Sequence, residues 1–336
     1  MEKKKILISL DRIIINSKEL LLEELKDNFE EIRYFYGSEK LSKDRTLYDK
    51  ILREFSRRGF YKNYFKELLK KENLKYYNKI LKNYLDIDYV LMIGGLYYSK
   101  EFIELIKEKN SKIKFIVFLW DKFSKEEITK IKEIYDKVYT FEKSDALENN
   151  IKWRPSFYIK KEKNIEKTLD FYFLGENRDK ERYEYINSLY KFCKKNGLKN
   201  KVYLYSKKKV KNLNNEIIIY NKISYEENLE NIKRSKVTFE KNIEKQLGLS
   251  LRSLECLGYE TKLITTNKDI KNYDFYSPNN IFIIENINEV NKIPLDFFIK
   301  QYEKIDDKIL EKYSFKGFVK EILQTLEENR WYLWKE

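Results

Sequence analysis

The feature that most constrains this chain is a pattern it shows twice: short apolar runs separated by helix-length amphipathic stretches. In the first half, strands are predicted at Ile6–Ser9, Ile32–Tyr36, Tyr89–Ile93, Lys114–Trp120 and Lys137–Thr140. Helices are predicted at Ser17–Lys26, along Arg45–Tyr84, and starting at Ser99 and Ser124. After the break KWRPSFYIKKEKN, with Pro155 and a run of charges, the pattern restarts. Strands are then predicted at Asp170–Leu174, Lys201–Tyr205, Glu216–Tyr220, Val237–Glu240, Lys262–Thr266 and Asn280–Glu285. The intervening helices are Asp179–Asn196, Ser224–Arg234 and Gly248–Leu257. Apolar runs without strict alternation are strands covered on both faces, and strands alternating with helices build parallel sheets. The expectation is an α/β chain of two doubly wound parallel-sheet (Rossmann-like) domains facing a cleft, with a C-terminal closing helix. Its expected boundaries are 1–155, a linker at 156–168, a second domain at 169–297, and helices at 298–336 packing back on the first domain.

Composition narrows the chemistry. With 336 residues and 42% hydrophobic side chains, the chain can fill two cores. It has no histidine, which excludes histidine triads, histidine zinc sites and a histidine general base. Cys193 and Cys256 lie far apart in apolar contexts and read as buried free thiols of a reducing compartment. The start MEKKKILISLD has a short apolar run broken by Asp11 and reads as a first strand, not a signal peptide. A cytoplasmic protein is expected. The formal charge of +14 invites an anionic partner, although co-enrichment of Lys, Asn, Ile, Glu and Tyr is also what an AT-rich genome would give. From Arg45 to Tyr84 there are 12 Lys/Arg against 4 Asp/Glu, interleaved with aromatics. This stretch, with Trp331, Tyr332 and Trp334 in the tail, is either core packing or a peripheral contact with an anionic membrane face. Single-stranded nucleic acid is the less favoured alternative for such a stretch, and nucleic acid is not the expected partner.

In open parallel sheets ligands bind beyond the carboxyl ends of the strands, which selects the loops to inspect. One of them leads into KQLGLSLRSLECLGYETKLITTN, Lys245 to Asn267. At ~100° per residue, Gly248, Arg252 and Glu255 fall on one stripe of the expected helix, flanked by leucines on one side and by Leu249 and Cys256 on the other. A polar stripe on a buried helix needs partners. Arg252 and Glu255 could pair with each other at i, i+3. Alternatively, Gly248 and the helix start approach a phosphate, Arg252 forks onto a diphosphate, and Glu255 accepts the two ribose hydroxyls.

The run ISYEENLENIKRSKVTFEKN through GLSLRSLECLGYETKLITTN resembles the C-terminal half of GT-B glycosyltransferases. QLGLSLRSLECLGYETKLITTNKDIKNYDFYSPNNIFII is similar to glycosyltransferase-like proteins of bacterial lipopolysaccharide and capsule gene clusters, as are FIVFLWD, KVYTFEKSDA, WRPSFY and DFYFLGENRDKERYEYI, in that order. The resemblance implies Glu255 on the donor ribose, Gly248 and Ser250 near the donor phosphates, Arg252 on the diphosphate, and Gly175 with Asn177 lining the cleft. The earlier glutamate that retaining enzymes of this fold often carry, eight residues before the ribose carboxylate, would fall at Leu247, which puts that mechanism in doubt.

The implied function is transfer of a sugar from a nucleotide-sugar donor to a glycan or lipid-linked glycan acceptor of the cell surface. No cofactor and no metal are expected. An inverting reaction without histidine needs an Asp or Glu base, and Asp121 and Asp11 follow first-domain strands at the expected cleft end. Their bland readings are a helix-initiating carboxylate and a turn residue. Asp86-Ile87-Asp88 has the form of a DxD metal motif but precedes its strand, at the wrong end of the sheet. The alternatives are a catalytically silent relative acting as a binding module and a basic nucleic-acid-binding protein.

Overall fold

The computed structural model describes residues 4–10, 18–35, 81–94, 100–159, 162, 165–211, 213–243 and 246–327. Asp11, most of the basic stretch Arg45–Tyr84, and Trp331, Tyr332 and Trp334 lie outside the described residues. The chain divides into two compact units: Met1–Thr140 with Asp145–Lys152, and Phe141–Ser144 with Trp153–Glu336.

In the first unit the elements run β1 (Lys5–Ser9), α1 (Lys18–Leu25), β2 (Glu31–Phe35), β3 (Tyr89–Ile93), α2 (Lys100–Lys109), β4 (Lys114–Leu119), α3 (Lys125–Lys132), β5 (Lys137–Thr140), α4 (Lys143–Asn149) and β6 (Lys152–Trp153). The sheet order is β2-β1-β3-β4-β5-β6, and the pairs of β1 with β2 and β3, of β3 with β4 and of β4 with β5 are parallel. All five residues of β3 are buried, as a strand covered on both faces requires. Ser124 caps α3 in a capping box: Glu127 N–H donates to Ser124 Oγ and Ser124 N–H to Glu127 Oε2 at 2.8 Å. Gly94, just past β3, has φ of 100°, a left-handed conformation that favours glycine.

The second unit runs β7 (Leu169–Glu176), α5 (Lys180–Lys195), β8 (Asn200–Tyr205), β9 (Ile218–Ile219), α6 (Tyr225–Lys233), β10 (Ser235–Glu240), α7 (Leu251–Gly258), β11 (Lys262–Thr265), β12 (Ile281–Ile283), α8 (Asp296–Ile299), α9 (Asp307–Tyr313) and α10 (Phe315–Glu327). Its sheet order is β12-β11-β10-β7-β8-β9, all parallel. From β7 the chain adds strands on one side, then returns to add the others beyond β10. The order therefore reverses between β7 and β10. Asp179, Ser224 and Ser250 cap α5, α6 and α7 in extended conformations. Two of these starts match the sequence expectation; the third does not. Ser250 closes the helix start, so Gly248 lies in the preceding loop and not on the helical stripe of Arg252 and Glu255.

The expected class, α/β with two doubly wound parallel sheets and C-terminal helices, is what the structure has. No helix among the described residues is long and apolar enough to cross a membrane. Cys193 and Cys256 are buried free thiols, and burial pushes the Cys193 thiol up to about 12.

The C-terminal helices of the second unit close over residues 154–158. Phe157 packs on Phe315 and Phe318, with ring centroids 4.8 and 4.7 Å away. Tyr158 N–H donates to Tyr313 O at 2.9 Å, and its hydroxyl to Leu310 O at 2.9 Å. The fully buried Arg154 donates to Glu321 at 3.1 Å, to Pro155 O at 2.7 Å, to Ser156 O at 3.1 Å and to Lys312 O. Replacing it by Met leaves those acceptors buried without a donor. Arg154→Met is expected to destabilise the second unit by about 3–5 kcal/mol, read from urea unfolding midpoints; an unchanged midpoint contradicts the role given to Arg154.

Candidate functional site

The carboxyl ends of β7 and β10, where the second sheet reverses order, gather most of the predicted donor residues. Gly175 is the penultimate residue of β7. A Cβ there would stand 2.6 Å from Phe173 Cζ and 3.2 Å from Arg182 Nη1, so only glycine leaves room for those groups. Asn177 follows the strand, its N–H donating to Tyr205 O at 2.8 Å. Glu240 ends β10; it is buried, and its Oε2 accepts from Ser253 Oγ at 2.6 Å and Thr265 Oγ1 at 3.2 Å. One carboxylate thus ties β10 to β11 and to the first turn of α7.

Arg252 lies in that first turn, which holds no acidic residue. Its guanidinium carbon is 5.6 Å from the centroid of the Phe173 ring, and its buried Nε has no hydrogen-bond partner. Arg182, in the first turn of α5, donates to Lys241 O at 3.3 Å. Burial holds the Arg182 guanidinium below its ordinary pKa, with further pressure from the neighbouring charges of Arg178 and Arg252. Neither Arg182 nor Arg252 has a carboxylate within ion-pairing distance among the described residues. Two guanidiniums thus flank Phe173 and Gly175, both against the helix dipole, which disfavours a cation near an N-terminus. An anion bound between them would offset both costs.

Glu255 lies deeper in α7 and is buried. It does not pair with Arg252: its Oε1 accepts from Tyr225 Oη at 2.6 Å. The Tyr225 hydroxyl is raised well above its ordinary range by burial and by the Glu255 charge. An open pocket of about 490 Å³ lies against β9, lined in part by Tyr203, Ile218, Tyr220, Asn221 and Glu227. Ser250 acts as the α7 cap, accepting from Ser253 N at 3.4 Å. The Gly248 N–H is engaged by the carboxylate of Glu142 at 3.2 Å.

In the first unit, Asp121 is exposed between β4 and the Ser124 cap. Asp86 and Asp88 stand before β3. Arg33 forks onto Asp86 at 2.8 Å on both oxygens, and Lys5 N–H donates to Asp88 at 2.8 Å. Arg33 and Lys5 hold the Asp86 carboxyl down at about 2. Among the described residues, no group of three or more Asp, Glu or Cys side chains could hold a metal ion.

Arg182, Tyr225 and Glu142 were not singled out in the sequence, and Glu240 only as part of the strand-end loop Glu240-Lys241-Asn242. For Arg182 a signal existed: a basic residue in the first turn of the helix after a Gly-containing strand end. The other three gain their roles through contacts 13 to 106 residues away, which no local pattern encodes.

No family model matches the chain, and no curated protein matches it. Among solved structures it is similar to TarM, with 16% identity over 74% of this chain and a TM-score of 0.46; the chain spans 56% of TarM's length. It is also similar to an α1,3-fucosyltransferase with GDP, at 10% identity over 100% of this chain and 93% of the other, TM-score 0.46. A UDP-N-acetylglucosamine 2-epimerase from Rickettsia bellii shares 12% identity over 99% of this chain and 100% of the other, TM-score 0.43.

Burial raises the Glu255 carboxyl above its ordinary 4.5, against the opposing pull of Arg252 and the Tyr225 bond. An acid raised in the folded state makes its full contribution to stability below its ordinary pKa and loses it as pH climbs through the raised value. Glu255→Gln removes that loss. The melting temperature of Glu255→Gln minus that of the wild type should therefore grow over the window that opens at that ordinary value and extends to higher pH. A difference that stays flat over this window contradicts the assignment of burial as the dominant cause.

Proposed function

We propose that the chain is a glycosyltransferase whose second unit holds a nucleotide-sugar donor at the reversal between β7 and β10. The observation that carries this reading is the pair Arg182 and Arg252, two cations with no carboxylate within ion-pairing distance among the described residues, where parallel sheets bind ligands. A diphosphate supplies the missing charge and accepts their N–H groups. Gly175 lets the Arg182 guanidinium approach the strand end, Asn177 borders the diphosphate, and the α7 N-terminus with Ser250 and Gly248 lies beside it. Glu255 then takes the ribose hydroxyls with Tyr225 as second partner, and the pocket against β9 offers space for the base.

In this reading the arginines and the start of α7 stabilise the departing diphosphate as the bond to the sugar breaks. With no histidine in the chain, the proton of the acceptor hydroxyl goes to a carboxylate in an inverting reaction, and Asp121 and Asp11 are the candidates. The acceptor is a cell-surface glycan of the lipopolysaccharide or capsule kind, reached by a protein working at the inner face of the cytoplasmic membrane.

A thermal-shift screen against UDP, GDP, CMP and their sugars tests the proposal, because a ligand that binds only the folded state raises its melting temperature. At least one nucleotide should stabilise the wild type, by about 2.7 kcal/mol at a hundredfold excess over Kd. Glu255→Ala and Arg252→Ala should each lose most of that response. Binding without sugar transfer would mark a silent binding module instead. A steeply salt-dependent affinity for oligonucleotides, indifferent to every nucleotide, would mark a nucleic-acid-binding protein.

A further inference from the structure

The loop before α7 already holds an anion, and it belongs to the chain. Glu142 is fully buried, in the segment Phe141–Ser144 that belongs to the second unit. Its Oε2 accepts the N–H of Leu247 at 3.0 Å and of Gly248 at 3.2 Å; its Oε1 accepts Leu247 N–H at 3.3 Å and Ser144 Oγ at 3.2 Å. The neighbouring residues fix that carboxylate in place. A Cβ on Gly248 would stand 2.6 Å from both the Phe141 ring and Phe141 O, and Phe141 O accepts Trp153 Nε1 at 3.0 Å. Lys143 pairs with Asp269 at 3.2 Å and lies over the Trp153 and Tyr273 rings at 4.9 and 5.0 Å. Across the loop, Gln246 Nε2 donates to Gly248 O at 3.3 Å and Asn267 Nδ2 to Leu247 O at 3.4 Å.

We infer that Glu142 is a positioning residue for the donor diphosphate, acting through the Leu247–Gly248 loop on the first turn of α7. This inference rests on the donor-site reading above. Gly248 is buried and Leu247 is exposed, and both of their N–H groups turn to the buried Glu142; a carboxylate makes the stronger kind of hydrogen bond to both. Two residues beyond Gly248 the chain enters the Ser250 cap, and two further on stands Arg252. Fixing the loop therefore fixes the angle at which Arg252 meets Arg182 beside Gly175. Because Glu142 occupies the loop's N–H groups, the diphosphate charge is left to the two guanidiniums and the helix start. Glu255 sits deeper in the packed part of α7, so the nucleoside end of the ligand is insulated from the loop.

Isothermal titration of the full chain with UDP, GDP, uridine and guanosine, on the wild type, Glu142→Gln and Glu142→Asp, separates this role from general stability. Glu142→Gln turns an amide N–H₂ toward one of the two backbone donors. It should weaken the nucleoside diphosphate by about tenfold or more, the size of one charge-assisted hydrogen bond, and leave the nucleoside nearly unchanged. Glu142→Asp keeps the charge and should recover part of the loss. Equal loss for diphosphate and nucleoside, or no loss for either, overturns the inference while the donor site stands. A wild type that binds none of the four, and no nucleotide or nucleotide sugar of the thermal-shift screen, overturns the donor-site reading and this role with it. Should Glu142→Gln fail to fold, amide exchange on the wild type decides: the Leu247 and Gly248 amides should be protected without ligand, and exchange at open-loop rates overturns the inference.

Discussion

Everything in this protein depends on parallel strands that must be covered on both faces. A parallel neighbour can be reached only by crossing over the sheet, so each strand is followed by a chain segment that returns along one face. All loops after strands then gather at one end, and a gap opens between them where the order reverses. In the second unit that gap lies between β7 and β10. The residues there are polar and charged because no crossover segment fills it.

Charge balance at this gap follows from the same geometry. The first turns of α5 and α7 both begin there, and both carry an arginine where helix dipoles favour an anion. Placing two cations at two helix starts costs stability in the empty protein, and Arg252 Nε lies buried without a partner. Around them the carboxylates are turned to other groups: Glu240 holds Ser253 and Thr265 through one oxygen, Glu255 holds Tyr225, and Glu142 holds the loop before α7. The site is therefore organised by acids that face inward and cations that face the gap.

Much of the fold was legible in the sequence because its signals are local. The strand β3 was expected at Tyr89–Ile93 and lies there, since a run of five apolar residues can only be a covered strand in this context. Helix starts were expected at Ser124, Asp179 and Ser224, and the structure makes these residues the caps of α3, α5 and α6, the first in a capping box. Gly248 was misread as helical because glycine in a leucine-rich run gives no stop signal, whereas Ser250 two residues on is the residue whose hydroxyl ends the loop. β9 came out as Ile218–Ile219, shorter than the expected Glu216–Tyr220; at its carboxyl end it stops where its single neighbour β8 ends, at Tyr205 opposite Ile219.

By itself, then, the sequence determined the class: two series of apolar strands, their helices, most helix starts, and an arginine and a glutamate at helical spacing in a leucine-rich run. It also excluded histidine chemistry outright. Only the tertiary structure decided what those charges face. Arg252 lies over the Phe173 ring without an ion pair to Glu255, Glu255 accepts from Tyr225, and the loop amides meet Glu142 from more than a hundred residues away. The reason is physical: helix and strand signals act over a few residues along the chain, whereas a buried charge is satisfied by whatever group the packed sheet brings within about 3 Å, wherever that group lies in sequence.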